Sequence, residues 1–363
     1  MRHIYSSKTR LSLVALALLL GMLVLTPGCK KDTQTQTLRM AHALDVTHPV
    51  HKGMAYMARR VKELSDGQLK IKIYPSEQLG SERECLEMLQ IGSLAITKVS
   101  SAALESFVPE YKVLGLPYLF RSKQHSHKVL DGAIGQKILN SGREYWLKGL
   151  VFYDAGSRSF YTIDKPIRKP SDLKGMKIRV MESIMSVKMI SAMGGSPTPI
   201  SWGELYTALQ NGIVDGAENN LPSFHLSYHF ELCDYYCMDQ HTTVPDVLLI
   251  STHTWDNLTE KQRNWIQQAA RESVAKQRKY WKQARQKALE TIKAEGVKVI
   301  RPDKEPFRKA VQSVYDYFRK NNPEIYDLAR QIQDVEVKER ESSRKGEPAN
   351  KPAQAGTEGQ NPG

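Results

Sequence analysis

The side chains with most scope for chemistry are ten histidines and four cysteines, and their spacing supports little catalysis. His225 and His229 are four apart and could share a helix face, while His48 and His51 are three apart. A zinc site needs three or four ligands, so without a third partner both pairs read as surface or hydrogen-bonded histidines. Cys85, Cys233 and Cys237 lack paired metal-ligand spacing and allow at most one disulfide and no zinc site. The sequence has no Gly-rich phosphate loop, no nucleophile elbow and no helical His-Glu-x-x-His. These residues argue against an enzyme and call for neither cofactor nor metal.

The fourth cysteine has a different setting. Arg2, Lys8 and Arg10 precede an almost wholly apolar run from Leu11 to Leu25, and Thr26-Pro27-Gly28-Cys29 follows at once. Basic, apolar and small residues in that order make an export signal, and the run is shorter than the about 20 residues of a membrane-spanning helix. Its end resembles a bacterial lipobox, although Thr26 and Pro27 stand where Leu and a small residue are usual. The resemblance implies that residues 1–28 are a lipoprotein signal peptide, that Cys29 carries lipid, and that the mature chain is anchored to a membrane outside the cytoplasm.

The roughly 330 residues that remain exceed what one hydrophobic core usually supports, so two lobes are expected. Apolar content of 40% and charged content of 25% are those of a globular protein. The formal net charge is +13, but much of it is local: from Glu260 to Lys293 ten Lys or Arg face three acids. No recognisable module interleaves basic residues with aromatics, which argues against nucleic acid as a partner. That basic segment is read either as a solvated face or as a surface that meets a membrane partner or anionic lipid.

The elements that must position any site alternate between strand-like and helix-like runs. Leu38 to Leu44 reads as a strand, Val50 to Leu64 as an amphipathic helix, and Leu69, Ile71 and Ile73 mark one face of a strand ending at Tyr74. Ser81 with Glu84 forms a capping box that opens a helix reaching about Ile91, and Leu94 to Val99 is a strand again. After a strand at 150–153 the pattern restarts, with a strand from Lys177 to Val180 and helices from Ser183 to Met193 and Trp202 to Gln210. A strand from Val247 to Ser251 precedes the longest helix, capped by Thr259 with Gln262 and striped by Ile266, Ala270, Val274, Trp281, Ala288 and Ile292. Such alternation predicts an α/β fold with mostly parallel sheets. At 1.5 Å per residue the long helix would span about 50 Å, enough to cross two lobes. From residue 334 to 363 almost no apolar residue remains, and a disordered tail is expected.

Four segments carry a resemblance. They are Tyr74-Pro75-Ser76-Glu77-Gln78-Leu79-Gly80 with Glu82 after it; Leu116-Pro117-Tyr118-Leu119-Phe120; Asp172-Leu173-Lys174-Gly175-Met176-Lys177-Ile178-Arg179-Val180; and the run from Glu204 to Asn219 that ends Asp215-Gly216-Ala217-Glu218-Asn219. In that order, between about Leu38 and Lys320, the chain resembles the solute-binding proteins of tripartite ATP-independent periplasmic (TRAP) transporters, the DctP-type family. The resemblance implies a two-lobed periplasmic-binding-protein fold with crossing strands. Lobe I would comprise residues 38–155 plus 246–284, and lobe II residues 156–245 plus 285–333. It also implies a ligand closed between the lobes and delivery to membrane permease subunits driven by an ion gradient.

The same resemblance assigns residues. Arg179 matches the family's carboxylate ligand, a position where a planar fork of donors can bind bidentately and Lys cannot. Arg158 matches a second family arginine, and Asn219 a position that hydrogen-bonds the ligand. His42 and Glu82 align with positions at the ligand's polar end, while Trp202 and His241 are candidates for a stacking wall and a hydrogen-bonding member of the pocket. Ser100 and Ala103 stand where the sialic-acid-binding branch has Glu and Arg, which argues against that sugar. The expected ligand is a sugar acid, a hexuronate or aldonate, because Glu82 would repel a dianion and accept hydroxyls. Lys98, if it points inward, would give a second carboxylate a partner, so a C4-dicarboxylate stays an alternative, as does a role as ligand-sensing partner of a membrane receptor.

Overall fold

The computed structural model describes residues 35–337. The signal segment with Cys29, and the tail beyond residue 337, lie outside the described residues. Eleven strands form two sheets. The first contains β1 (Gln36–Ala41), β2 (Leu69–Tyr74), β3 (Ile96–Ser100), β4 (Leu147–Tyr153) and β10 (Asp246–Ser251), in the order β2-β1-β3-β10-β4. The second contains β5 (Arg158–Thr162), β6 (Lys177–Val180), β7 (Ser196–Pro199), β8 (Gly216–Asn219), β9 (Tyr235–Thr242) and β11 (Lys298–Ile300), in the order β11-β9-β5-β8-β6-β7.

Two strand-to-strand connections cross between the sheets, from β4 to β5 through 154–157 and from β9 to β10 through 243–245, and the chain crosses once more from β10 to β11 by way of the helix Glu260–Ala294. The sheets are mostly parallel, as expected, and each strand-to-strand crossing sets one antiparallel strand among them. Strands β1, β2 and β3 are parallel, as are β6, β7 and β8, but β10 is antiparallel to both neighbours in the first sheet and β5 to both in the second. The physical reason is entry direction. A strand arriving from the other lobe enters its new sheet at the edge facing that lobe and runs away from it, against strands that run toward it. Consequently the gap between the sheets is lined by the ends of β3, β6 and β8 and by the beginnings of β5 and β10. Carboxyl ends of parallel strands are the general place for a ligand in open α/β sheets.

Helices tie the lobes together. The helix Pro49–Leu64 buries Val50, Met54, Met57 and Val61 at intervals of three and four, the spacing that puts them on one face. The helix Glu260–Ala294, with its Thr259–Gln262 capping box formed, packs on it. Its Ile266, Ala269, Ala270 and Trp281 join the core of the first sheet, and Ala288 and Ile292 join that of the second. One turn before Trp281, Gln277 clamps the first crossing: its amide donates to the Asp154 carbonyl at 2.7 Å and its oxygen accepts from the Asp154 N–H at 3.0 Å. A third core runs along the closing helices Glu305–Ala310, Gln312–Asn321 and Pro323–Gln333. There Phe307, Phe318, Ile325 and Ile332 meet Tyr111, Leu114 and Leu116 of the first lobe and Ile178 and Met185 of the second. Cys85, Cys233 and Cys237 are buried free thiols.

Candidate ligand-binding cleft

A cavity of about 90 Å³ lies between the sheets, adjoined by an outer chamber of about 260 Å³. The second lobe supplies the positive wall. Arg179 sits at the cleft end of β6, 2% exposed. Its Nε donates to the Ile200 carbonyl at 2.8 Å, while Nη1 is buried with no hydrogen-bond partner among the described residues. Burial lowers its pKa, with Tyr161 acting the other way. Arginine nevertheless remains a cation in proteins, so a buried, half-satisfied guanidinium faces the cavity. Leaving such a group unpaired is expensive.

Arg158, at the start of β5, is occupied in contrast. Its Nε and Nη2 grip the two Glu218 carboxylate oxygens at 2.5 and 2.9 Å, Nη2 also donates to the Glu218 carbonyl, and Nη1 donates to Asn219 Oδ1 at 2.9 Å. Asn219 Oδ1 takes two further hydrogen bonds from Asn220. Its amide nitrogen makes none within the described residues, and Asn219 lines the cavity. Behind this pair stand His241 and Asp239. His241 Nδ1 lies 2.7 Å from Asp239 Oδ2, and Nε2 lies 3.3 Å from Glu218 Oε2. Burial opposes charge on His241, yet Asp239 and Glu218 outweigh it and raise its pKa to about 9. Burial likewise opposes charge on Glu218, and Arg158 with His241 brings it down to about 2. The four groups alternate in sign and cancel.

The first lobe supplies a wall whose buried cation is already answered within it. Lys98, buried on β3, donates to Glu82 Oε1 at 3.0 Å and to Asp246 Oδ1 at 3.1 Å. Burial works against its ammonium, but Asp246 and Glu82 outweigh that and raise its pKa. Glu82, in the first turn of the helix that Ser81 and Glu84 cap, also accepts from the Ser100 N–H at 3.0 Å. With two carboxylates on one ammonium, this wall carries excess negative charge. Lys98 thus points inward, but its charge is spent on Glu82 and Asp246.

Four contacts between the lobes shut the cleft. Glu77 lies against Gly203, where a Cβ would stand 2.2 Å from the Glu77 Oε2 and push its carboxylate aside. His48 Nε2 lies 3.3 Å from Ser223 Oγ, Ser100 Oγ donates to Met181 Sδ at 3.4 Å, and Ser183 Oγ donates to Glu105 Oε2 at 2.8 Å. Trp202 borders both chambers.

Of the residues singled out from sequence, Arg179, Arg158, Asn219, Glu82 and Trp202 line the cavity together. Two stand elsewhere. His42 turns behind the wall, where its Nδ1 accepts from the Leu44 N–H at 3.1 Å and its Nε2 lies 2.9 Å from His51 Nδ1. His241 is sealed behind Glu218, because two buried carboxylates hold its ring more strongly than the cavity could. Sequence reasoning missed His48, which caps the helix Pro49–Leu64 and faces the cavity, and also Met181, Asn220 and Asp246. The Pro49 after His48 was a usable signal, since proline favours the first helical turn and the residue before it the cap. Among the described residues His225 and His229 do not share a helix face, because their helix, Leu221–Leu226, ends before the left-handed Tyr228.

Comparison with known proteins gives this geometry a family. Residues 40–321 match the model of bacterial extracellular solute-binding protein family 7, DctP. A TRAP periplasmic solute-binding protein of Xanthobacter autotrophicus, solved with bound β-D-galacturonate, is 38% identical; the match covers 82% of this chain and all of that one, with a TM-score of 0.80. One from Roseobacter denitrificans, with bound β-D-glucuronate, is 33% identical over 83% of this chain and all of that one, TM-score 0.81. Another from a Polaromonas species, bound to D-erythronate, is 32% identical over 84% of this chain and all of that one, TM-score 0.81.

Proposed function

We propose that this chain, which belongs to the family 7 extracellular solute-binding proteins of TRAP transporters, captures a hexuronate or a related sugar acid and hands it to a membrane permease. The observation that carries the ligand class is the unpartnered, buried Nη1 of Arg179 opposite a first-lobe wall with two carboxylates on one lysine. A monoanion places its carboxylate on Arg179, with the Asn219 amide and the remaining Arg158 donor beside it. Its hydroxyls then face Glu82, Ser100 and the polar end of His48, and Trp202 flanks the ring. A dicarboxylate would bring its second charge against Glu82 and Asp246. The uronates bound by the similar proteins support the same class.

In this reading the lobes, residues 38–155 plus 246–284 and 156–245 plus 285–333, close on the acid and strengthen the Arg179 contact by expelling water. The protein acts as carrier and not as catalyst. Cys29 anchors it by lipid to a membrane, a reading supported by the basic-apolar-small order before that residue. Calorimetry with glucuronate, galacturonate, gluconate, succinate and malate tests the ligand: tight binding of a dicarboxylate with silence from every sugar acid overturns it. Membrane fractionation of Cys29→Ser tests the anchor, which fails if the variant stays membrane-bound at unchanged mass.

A further inference from the structure

On the far side of the crossing strands from the cleft lies a second, larger cavity of about 460 Å³. That is within the range of small-molecule sites, about 300–1,000 Å³. Six cationic side chains line it, Arg121, Lys123, Lys282, Arg285, Lys304 and Arg308, against one carboxylate, Asp154. Asp154 is already taken by Lys123 at 2.8 Å. Among the described residues, Lys282, Arg285, Lys304 and Arg308 have no carboxylate within ion-pair distance; Lys304 donates to the Gln240 side-chain oxygen, and Arg308 lies over the Tyr118 ring. Lys282 and Arg285 belong to the basic segment of the long helix, one turn apart, and face Lys304 and Arg308, also one turn apart. The cavity has a built floor as well. Trp281 is 1% exposed, lines the cavity and its indole N–H has no hydrogen-bond partner among the described residues. Its Nε1 sits beside Gly156, where a Cβ would come within 3.1 Å.

We infer that this cavity is a second anion site, for a small multivalent oxyanion such as a phosphate compound or polycarboxylate, distinct from the sugar-acid cleft. Separated like charges without counterions raise the local potential and gather a polyanion, and the unpartnered indole N–H of an otherwise buried tryptophan gives it a fixed contact. Position gives the site its consequence. Asp154, Gly156, Ser157, Thr242 and Thr243 of its wall belong to or border the two crossings, the segments that must bend when the lobes part. An anion held between Arg121 and Lys123 of the first lobe and Arg285, Lys304 and Arg308 of the second bridges groups that this closed form gathers and that part when the lobes part. It therefore favours the closed form, and by linkage tightens the front ligand as the front ligand tightens it. The tightening rests on the sugar-acid reading; the anion site itself does not.

The test uses the full mature chain and inorganic pyrophosphate at ionic strength fixed with sodium chloride. In Arg179→Ala, whose front cleft is disabled, calorimetry should still give one saturable pyrophosphate site, weakened at least about tenfold by adding Lys282→Gln with Arg285→Gln and several-fold by Trp281→Phe. In the otherwise unaltered protein, saturating pyrophosphate should lower the glucuronate dissociation constant about three- to tenfold. Absence of saturable binding in Arg179→Ala, or binding indifferent to Lys282→Gln with Arg285→Gln, overturns the site. A retained pyrophosphate site with an unchanged glucuronate constant overturns the coupling. Failure of glucuronate alone to bind leaves the pyrophosphate arm readable and faults the sugar-acid reading instead.

Discussion

The two walls of the cleft are built from the same materials and left in opposite electrical states. On the second lobe Arg158 is matched by Glu218, and His241 by Asp239, while Arg179 has only a backbone carbonyl. On the first lobe Lys98 is matched twice over, by Glu82 and Asp246. What distinguishes Arg179 from the other cations of the cleft is therefore not burial, since all are buried, but that no carboxylate of the protein answers it. In the proposed reading the second-lobe wall takes the anion and the first-lobe wall repels it, which orients a monoanion in a single sense.

Breaking the positive wall gives the largest effect. Arg179→Lys replaces a fork with a point charge, and losing a buried charge pair costs about 3–5 kcal/mol, so affinity for the sugar acid should fall by two to four orders of magnitude in calorimetry. Near-normal affinity would dissolve the contrast between the walls. Breaking the negative wall should show first in folding. Lys98→Met strands the buried Asp246 and the half-buried Glu82, and thermal unfolding should reveal a loss of about 3 kcal/mol.

Glu82→Gln sharpens the comparison by removing one of the two carboxylates on Lys98. Sugar-acid binding should weaken by about tenfold through a lost acceptor, and succinate, silent before, should gain measurable affinity. Unchanged discrimination would show that Lys98 compensation does not set ligand charge. Arg158→Lys should weaken binding less than Arg179→Lys, because most of its donors serve Glu218 and Asn219.

The smallest effect is in pH. His241 is raised from 6.5 to about 9, so its stabilisation is full below about pH 6.5 and lost as pH climbs through 9. Glu218 is depressed from 4.5 to about 2, so its share is present above about pH 4.5 and lost on acidification toward 2. Melting temperature should therefore decline from pH 7 to 9.5, and His241→Gln should flatten that limb. An equal decline in the variant would assign it to other groups.

Much of this was legible in the sequence. Periodicity located β2 from Leu69 to Tyr74 and β6 from Lys177 to Val180 at their observed bounds, and the Ser81–Glu84 and Thr259–Gln262 boxes marked two helix starts. These signals are local: alternation, heptad-like spacing and capping depend on residues within one or two turns. The resemblance to the solute-binding family grouped Arg179, Arg158, Asn219, Glu82 and Trp202, and all five line one cavity, each beside a strand end or helix start that the local pattern fixes.

The tertiary structure alone decided the rest. Whether a strand runs parallel or antiparallel depends on which lobe it comes from, and nothing within β5 or β10 records that. Whether a histidine faces a ligand depends on the distant groups that compete for it. His241 was lost to Asp239 and Glu218, His42 to His51, and His48 was gained because the helix that begins after it aims it across the cleft at Ser223. Charge on Lys98 was plain from its residue type, but its cancellation by Glu82, 16 residues away, and Asp246, 148 away, was not. Residue type fixes which charges exist; the folded chain fixes which of them remain unanswered, since pairing depends on separations of a few ångströms between residues far apart in sequence.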